Sequence, residues 1–249
     1  MVMQTKKKFA IVTGASTGIG RAIAIEFAKE GAFVALVGRT QDKLLETKGM
    51  IAKIGGEAEV FIGDFANLDS LRALIQSIKQ KTDRVDVLVN VAGIWHGKDE
   101  VYAGKNFEAF PQSIILDTYA VGITAPTLLA HALIPLMSKG GTIVNISGTF
   151  ESGAKGWLPY YVSKRAIEDL TIGLAEELKD KGIRVNAISP SDTATEAYKK
   201  YFPQYINDAI DPQEIAKYAA YLSSEESQGI AGKVFVLKKN KKPLESFHS

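Results

Sequence analysis

A glycine-rich turn between an apolar run and an amphipathic segment constrains the fold of this chain more than any other feature. The turn reads Thr13-Gly14-Ala15-Ser16-Thr17-Gly18-Ile19-Gly20, after the apolar residues 9–12 and before residues 21–30, which have helical periodicity. Glycines let a backbone approach a pyrophosphate closely, and a helix N-terminus offers it free N–H groups and a positive dipole end. The segment predicts a strand, a turn and a helix that cradle a dinucleotide phosphate, with contacts from Gly14, Ser16, Thr17, Gly18, Ile19 and Gly20.

Short apolar runs alternate with helical patterns along the chain, and this order predicts the architecture. Strands are predicted at 8–13, 33–38, 58–62, 86–89, 142–147, 183–188 and 233–237, and helices at 19–30, 41–54, 68–81, about 113–138, 160–180 and 212–223. The strands show little polar alternation, so both faces of the sheet should be covered. The pattern predicts one doubly wound, Rossmann-type α/β domain over residues 1–249, with a seven-stranded parallel sheet and helices on both faces. Ligands of such sheets bind outside the carboxyl ends of the strands, so the residues after each strand are the site candidates.

Composition and charge argue against several classes of function. The 249 residues carry a formal net charge of +2, which does not suggest a nucleic-acid or membrane partner. The chain has no cysteine, which removes thiol chemistry and fits a cytoplasmic protein. No apolar run approaches the roughly 20 residues of a membrane span. The three histidines, at positions 96, 131 and 248, have no ligand spacing, so no metal site is expected.

The end of the second predicted strand indicates which phosphate the cofactor carries. A protein that binds NAD usually places Asp or Glu there, to hold the ribose 2′-hydroxyl. Here the strand ends in Gly38-Arg39-Thr40, with no acid. The guanidinium can pair instead with a 2′-phosphate, as a planar fork of donors. Arg39 and Thr40 therefore predict NADP(H) rather than NAD(H).

The turns after the third and fourth predicted strands extend the cofactor site along the same edge of the sheet. Asp64 can accept a hydrogen bond from the adenine amino group, with Phe65 beside it. The turn Asn90-Val91-Ala92-Gly93 carries little side-chain bulk, so a ribose can lie against its backbone. Cofactor contacts are expected from Asp64, Phe65, Asn90, Ala92 and Gly93.

Tyr160 and Lys164 stand four residues apart in a predicted helix and therefore share one helical face. A free tyrosine has a pKa of about 10. Stabilising its phenolate form by roughly 4 kcal/mol would lower that pKa to near 7. An ammonium group ~4–5 Å away supplies on the order of 3–4 kcal/mol at an effective dielectric constant of 20. The pair is thus a candidate acid/base unit.

With the glycine turn, this pair makes the chain resemble the short-chain dehydrogenase/reductase family, in its branch with Thr-Gly-x-x-x-Gly-x-Gly and Tyr-x-x-x-Lys motifs. The resemblance covers nearly the whole chain. It implies an oxidoreductase that transfers a hydride between a nicotinamide and a carbonyl or alcohol substrate, with Tyr160 as general acid/base. It implies that Lys164 binds the nicotinamide ribose and lowers the tyrosine pKa. It also implies that Pro190, Thr193 and Thr195 hold the nicotinamide end.

Two departures from the family pattern bear on catalysis. The family's usual serine, which holds the substrate carbonyl, falls on Ser147 when counted back from Tyr160 and on Gly148 when aligned along the preceding strand. The distance to Tyr160 favours Ser147 as the third catalytic residue, while the strand alignment leaves Gly148 open. Tyr119 replaces the usual asparagine, which holds a relay water; its hydroxyl can substitute for that group or obstruct it. These changes leave open an alternative, an NADP(H)-binding protein with impaired catalysis and a regulatory or binding role.

Three loops are expected to wall the substrate site, at 94–104, 148–159 and 191–211. The substrate is expected to be a small-molecule carbonyl or alcohol. The aromatic residues of these loops either only pack the loops or recognise an apolar or ring-bearing carbonyl compound; they are Trp95, His96, Phe150, Trp157, Tyr198, Tyr201, Phe202 and Tyr205. The resemblance implies a homodimer or homotetramer. However, Lys239-Asn240 replaces the family's usual Gly-Gly after the last strand, where many relatives make a subunit contact.

Overall fold

A computed structural model describes residues 7–102, 104–150 and 154–248. Its centre is a sheet of eight strands in the order β3-β2-β1-β4-β5-β6-β7-β8. The strands are β1 Phe9–Thr13, β2 Phe33–Gly38, β3 Glu57–Ile62, β4 Val85–Asn90, β5 Met137–Ile146, β6 Arg184–Pro190, β7 Lys233–Leu237 and β8 Leu244–Glu245. Strands β1 to β7 are parallel, as predicted. The predicted count of seven is one short, because two residues after a turn pair antiparallel to β7, too short a run to show a pattern.

Helices cover both faces of the sheet, which confirms the doubly wound prediction. They are α1 Gly18–Lys29, α2 Gln41–Lys53, α3 Leu68–Lys81, α4 Gln112–Tyr119, α5 Ala125–Leu133, α6 Leu158–Glu177, α7 Glu196–Tyr201 and α8 Pro212–Leu222. Successive strand residues face opposite layers. In β1, Val12 packs in the apolar layer with α1, α2 and α8, whereas Ile11 packs in the layer with α3, α5 and α6. The layers hold the strand ends, and therefore the site, in fixed register.

The long middle helix predicted at 113–138 is interrupted. A π-helical turn, Ala120–Thr124, separates α4 from α5, and β5 already begins at Met137. Within this turn Gly122 packs against α6, where an added Cβ would lie 2.8 Å from the Cβ of Ser163. Pro126 follows and lacks a backbone N–H, so regular helical hydrogen bonding cannot run through this segment.

The same segment is also long and apolar enough to cross a bilayer by composition alone. Within Gln112–Leu136 an 18-residue window has a mean hydropathy of 1.4, and about 39% of that window is buried in the protein. Leu129 and Leu133 of α5 are fully packed in the layer beside the sheet. That packing is typical of a core helix.

The loop predicted at 191–211 contains the helix α7. Thr195 caps it, because its hydroxyl accepts a hydrogen bond from the N–H of Tyr198 at 3.2 Å. The loop at 94–104 contains an antiparallel bridge between His96 and Val101, with Ala103 outside the described residues. In the loop at 148–159, residues 151–153 lie outside the description, and α6 begins at Leu158.

Candidate active site

A single cleft of about 1460 Å³ runs along the carboxyl ends of the strands, from the glycine turn to α6 and α7. Nearly all the predicted site residues line it: Gly14, Ser16, Thr17, Gly18, Ile19, Gly20, Arg39, Thr40, Asp64, Phe65, Ala92, Gly93, Ser147, Tyr160, Lys164, Pro190, Thr193 and Thr195. Asn90 does not line the cleft. It is only 7% exposed, and its side-chain amide donates to Oδ1 of Asn145 at 2.9 Å. Its side chain lies in the layer between the sheet and α6, so it supports the site from below.

The glycine turn has the form of an anion cradle. Gly14 and Gly18 have φ angles of 65° and 53°, in the left-handed region. An added Cβ at Gly20 would lie 2.2 Å from the carbonyl oxygen of Gly14, so the turn closes tightly only with glycine there. Thr17, the N-cap of α1, makes no side-chain hydrogen bond to the helix, which leaves first-turn N–H groups for another acceptor. This donor set fits a pyrophosphate.

A carboxylate from α7 already uses this helix terminus, and sequence reasoning missed it. Oε2 of Glu196 accepts a hydrogen bond from the N–H of Gly18 at 3.2 Å, and Oε1 lies 3.4 Å from Arg21. The N-terminus of α1 therefore already binds an anionic group, the carboxylate of Glu196. A pyrophosphate would take the Gly18 N–H only after Glu196 turned away.

Arg39 lies exposed at the end of β2, on the wall of the cleft. Within the described chain its side chain makes no hydrogen bond or ion pair, whereas nearby Lys43 is paired with Glu46 at 2.9 Å. Asp64 is half-buried at the end of β3, and the N–H of Ala66 donates to its Oδ1 at 3.0 Å. One end of the cleft thus presents a free guanidinium and a fixed carboxylate.

The turn after β4 is held by Thr13, which sequence reasoning did not single out. The hydroxyl oxygen of Thr13 accepts hydrogen bonds from the N–H groups of Val91 at 2.9 Å and Ala92 at 3.3 Å. An added Cβ at Gly93 would lie 3.2 Å from Nζ of Lys164. The turn therefore brings bare backbone against the lysine.

A buried chain of amides and hydroxyls links the strand ends to α6, and it too was missed. The side-chain amide of Asn145 accepts from Asn90 and donates to the hydroxyl of Thr171 at 2.9 Å. The hydroxyl of Thr171 donates to the carbonyl of Ile167 at 2.7 Å. An asparagine inside the apolar run Ile143-Val144-Asn145-Ile146 was the sequence signal available, because a buried amide requires partners.

Tyr160 and Lys164 share a face of α6 that is turned to the cleft. Nζ of Lys164, a residue 4% exposed, donates to the carbonyl of Ile146 at 2.8 Å and lies 5.4 Å from the ring centroid of Tyr160. Burial lowers the pKa of Lys164 to about 8, while the negative charge of Glu168 acts in the opposite direction. The lysine is thus held rigidly and close to its point of deprotonation.

Burial raises the pKa of Tyr160 above its ordinary value. The sequence predicts the opposite shift, caused by the ammonium group of Lys164. Among the chain's own groups, desolvation of the phenol outweighs that attraction. Tyr160 is therefore protonated, the form that donates to a carbonyl oxygen.

The two candidates for the carbonyl-holding position differ in geometry. Ser147 is 2% exposed, and its hydroxyl donates to the carbonyl of Ile188 at 3.4 Å. An added Cβ at Gly148 would lie 4.0 Å from Cγ of Lys164 and no closer than 3.6 Å to any other neighbour, Phe150. Both residues line the cleft, and the free direction toward the lysine favours Gly148 as the equivalent position.

Tyr119 ends α4 immediately before the π-helical turn. It is half-buried, does not line the cleft, and its hydroxyl has no hydrogen-bond partner in the described part of the chain. A relay through this hydroxyl stays a prediction.

Comparison with known proteins places this architecture in a family. Residues 8–206 match the family model for the short chain dehydrogenase. The chain is 35% identical over 193 residues to a 3beta-hydroxysteroid dehydrogenase of Mediterraneibacter gnavus, covering 76% of this chain and 67% of the relative. It is 32% identical over 241 residues to a 7alpha-hydroxysteroid dehydrogenase of Clostridium sardiniense, covering 91% and 90%. The crystal structure of angucycline C-6 ketoreductase LanV with bound NADP superposes with a TM-score of 0.82 at 27% identity, covering 92% of this chain and 93% of that one.

Proposed function

The chain belongs to the short-chain dehydrogenase family of nicotinamide-dependent oxidoreductases, and from this premise we propose that it interconverts a carbonyl compound and its alcohol with NADP(H). One observation carries the proposal. The Tyr160–Lys164 pair faces the same cleft as the anion cradle of α1 and the free guanidinium of Arg39. A dinucleotide that spans these groups would place its reactive end at the tyrosine.

The chain's own residues supply binding, orientation and a proton. A nicotinamide cofactor bound along this cleft would supply the hydride. The N–H groups of α1 and the guanidinium of Arg39 would hold its phosphates. Lys164, held by the Ile146 carbonyl, would bind the nicotinamide ribose, and the Tyr160 hydroxyl would donate its proton to the substrate oxygen.

The cofactor preference follows from Arg39. We expect NADPH to bind at least tenfold more tightly than NADH, because the guanidinium attracts a 2′-phosphate that only NADPH carries. Fluorescence titration of both cofactors measures the ratio. Arg39→Glu should reverse it, and Lys43→Glu, a nearby charge reversal at a paired lysine, serves as the control. Equal affinities in the wild type would contradict the assignment.

The acid/base assignment predicts the effect of removing one hydroxyl. Tyr160→Phe should lower turnover by at least 10²-fold with NADPH affinity unchanged, because the cradle is untouched. The assay is NADPH consumption over ketones, aldehydes and 3-oxoacyl thioesters. Tyr161→Phe is the matched control, since Tyr161 packs on Phe150 and Arg165 instead. If Tyr160→Phe retains more than about a tenth of the activity, another group donates the proton.

A second function, NADP(H) binding without efficient catalysis, rests on a specific observation. Gly148 offers no hydroxyl at the position that points toward Lys164, and the hydroxyl of Ser147 is bonded to the Ile188 carbonyl. Tight NADPH binding without turnover of any compound in the panel would favour this function. Turnover abolished by Tyr160→Phe would exclude it.

A further inference from the structure

The rings of the three substrate loops meet in one cluster, which we call the aromatic roof and define by Trp95, His96, Trp157, Tyr198, Tyr201 and Phe202. Its core is a triangle with one ring from each loop. The ring centroids are 6.3 Å apart for Trp95 and Trp157, 6.4 Å for Trp95 and Phe202, and 6.3 Å for Trp157 and Phe202. These spacings are those of aromatic rings in contact.

The roof reaches the proton donor directly. The ring of Trp157 lies 6.2 Å from that of Tyr160, and Phe150 lies 5.8 Å from it in an edge-on arrangement. Aromatic walls thus flank Tyr160. A carbonyl that approaches its hydroxyl must rest the adjoining carbon atoms against these walls.

Two polar groups of the roof are directed to the backbone, whereas the hydroxyl of Tyr198 is hydrogen-bonded to the side chain of Asp192. The ring Nδ1 of His96 lies 2.6 Å from the carbonyl oxygen of Gly97, and the hydroxyl of Tyr201 donates to the carbonyl of Lys98 at 3.2 Å. Nζ of Lys200 donates to the same carbonyl at 3.0 Å. The loops at 94–104 and 191–211 are therefore tied together at their rim, and the rings of the roof offer apolar surface to a ligand.

We infer that the substrate is an uncharged ketone whose carbonyl belongs to a planar, fused ring system, bound with its rings stacked in the roof. The inference rests on the proposed function and names its substrate class. In the reaction the carbonyl carbon accepts the hydride of NADPH and the carbonyl oxygen accepts the proton of Tyr160. The products are a secondary alcohol and NADP⁺, and the phenolate of Tyr160 takes a proton back from water. Planar rings gain from the roof because offset and edge-on aromatic pairs add attraction beyond the area that they bury.

Three ketones with the same number of carbon atoms distinguish the effect of substrate planarity from the effect of substrate size. The benzo-fused 1-tetralone, the saturated bicyclic 1-decalone and the open-chain 2-decanone are compared by kcat/KM at saturating NADPH. We expect 1-tetralone to exceed 1-decalone by about tenfold, the scale of one or two aromatic pairs, and 2-decanone to be the poorest. A preference for 2-decanone, or equal values for all three, would overturn the inference.

Variants test whether the roof causes the preference. Trp157→Leu and Phe202→Leu keep an apolar side chain but remove a ring, so each should lower kcat/KM more for 1-tetralone than for 1-decalone and bring their ratio close to one. Tyr218→Leu is the control, because Tyr218 belongs to a separate ring cluster with Tyr221 and Phe235 outside the cleft. A uniform loss with all three ketones would show that the roof only packs the loops.

A binding measurement separates this inference from the proposed function. Both tryptophans of the chain lie in the roof, so tryptophan emission reports on it alone. The alcohol 1-tetralol, titrated with NADPH present, cannot react and should change the emission saturably, whereas 2-decanol should not. If no ketone is turned over but 1-tetralol still binds this way, the proposed catalysis fails and the inferred ligand class stands. No response to 1-tetralol would overturn the ligand class.

Discussion

Ser147 and Gly148 differ in what each can offer a substrate carbonyl. The hydroxyl of Ser147 is already bonded to Ile188, whereas the Cβ direction of Gly148 is open toward Lys164. We therefore expect Ser147→Ala to change kcat/KM by less than about threefold and Gly148→Ser to raise it by tenfold or more, approaching the worth of one oxyanion donor. Steady-state kinetics on one ketone measures both.

A variant without the hydroxyl controls for the added carbon atom. Gly148→Ala adds the same Cβ, which meets only ordinary contacts, and should leave the activity unchanged. A loss of about 10²-fold in Ser147→Ala would instead assign the carbonyl to Ser147, as the count back from Tyr160 predicts.

At the level of single residues, the sequence predicted the side chains that bind a cofactor or transfer a proton. Arg39 and Asp64 line the cleft because they follow β2 and β3, and the carboxyl ends of parallel strands meet at one edge. Tyr160 lines the cleft from α6, where its spacing from Lys164 gave the sequence signal. The sequence did not predict Asn145 or Glu196. Their partners lie 26 or more residues away and become neighbours only through the fold.

The helix α6 carries the catalytic pair and also holds the end of the chain. Glu168, fully buried one turn after Lys164, accepts hydrogen bonds from Arg165 at 3.1 Å and from the N–H of His248 at 2.9 Å. Its charge raises the pKa of Lys164 against the effect of burial. Glu168 therefore both binds the C-terminal segment and stabilises the protonated form of Lys164.

Removing that charge should shift the pH dependence of the reaction. In Glu168→Gln the pKa of Lys164 falls below about 8, so the ammonium is lost at lower pH and the alkaline limb of kcat/KM moves to lower pH. The pH profile of ketone reduction between pH 6 and 10 measures it. Asp169→Asn is the control, because Asp169 is exposed and pairs with His248 at 3.4 Å. An unchanged alkaline limb would show that Glu168 only anchors the chain end.

Helices and strands were predicted correctly where the sequence has a uniform hydrophobic pattern. The prediction was wrong where tertiary contacts interrupt a helix. The strands of the parallel sheet were predicted because continuous apolar runs are sufficient for that environment. The middle segment was predicted as one helix because Ile, Leu and Ala recur through it at helical spacing. The contact of Gly122 with Ser163 of α6 and the pairing of Met137 with Val85 interrupt it, and neither is visible in one segment alone.

On the surface of the whole molecule, the neighbouring helices α4 and α6 expose apolar side chains. Leu116 of α4 is 67% exposed and Val162 of α6 is 36% exposed. Within Gln112–Leu136, the 18-residue window apolar enough to span a bilayer is about 39% buried. An apolar face of this kind favours association, and we propose that a second copy of the chain covers it, in a homodimer or homotetramer.

The oligomer prediction is tested by one charge on that face. The wild type should elute as a dimer or larger species in size-exclusion chromatography with light scattering, and Leu116→Glu should shift it toward the monomer, because association would bury an unpaired carboxylate. Leu45→Glu is the matched control, since Leu45 is 47% exposed on α2, on the other side of the sheet. Lys239 and Asn240 follow β7 and lie outside this face of α4 and α6. A wild-type monomer at micromolar concentration would refute the oligomer, and a dimer unaffected by Leu116→Glu would place the contact elsewhere.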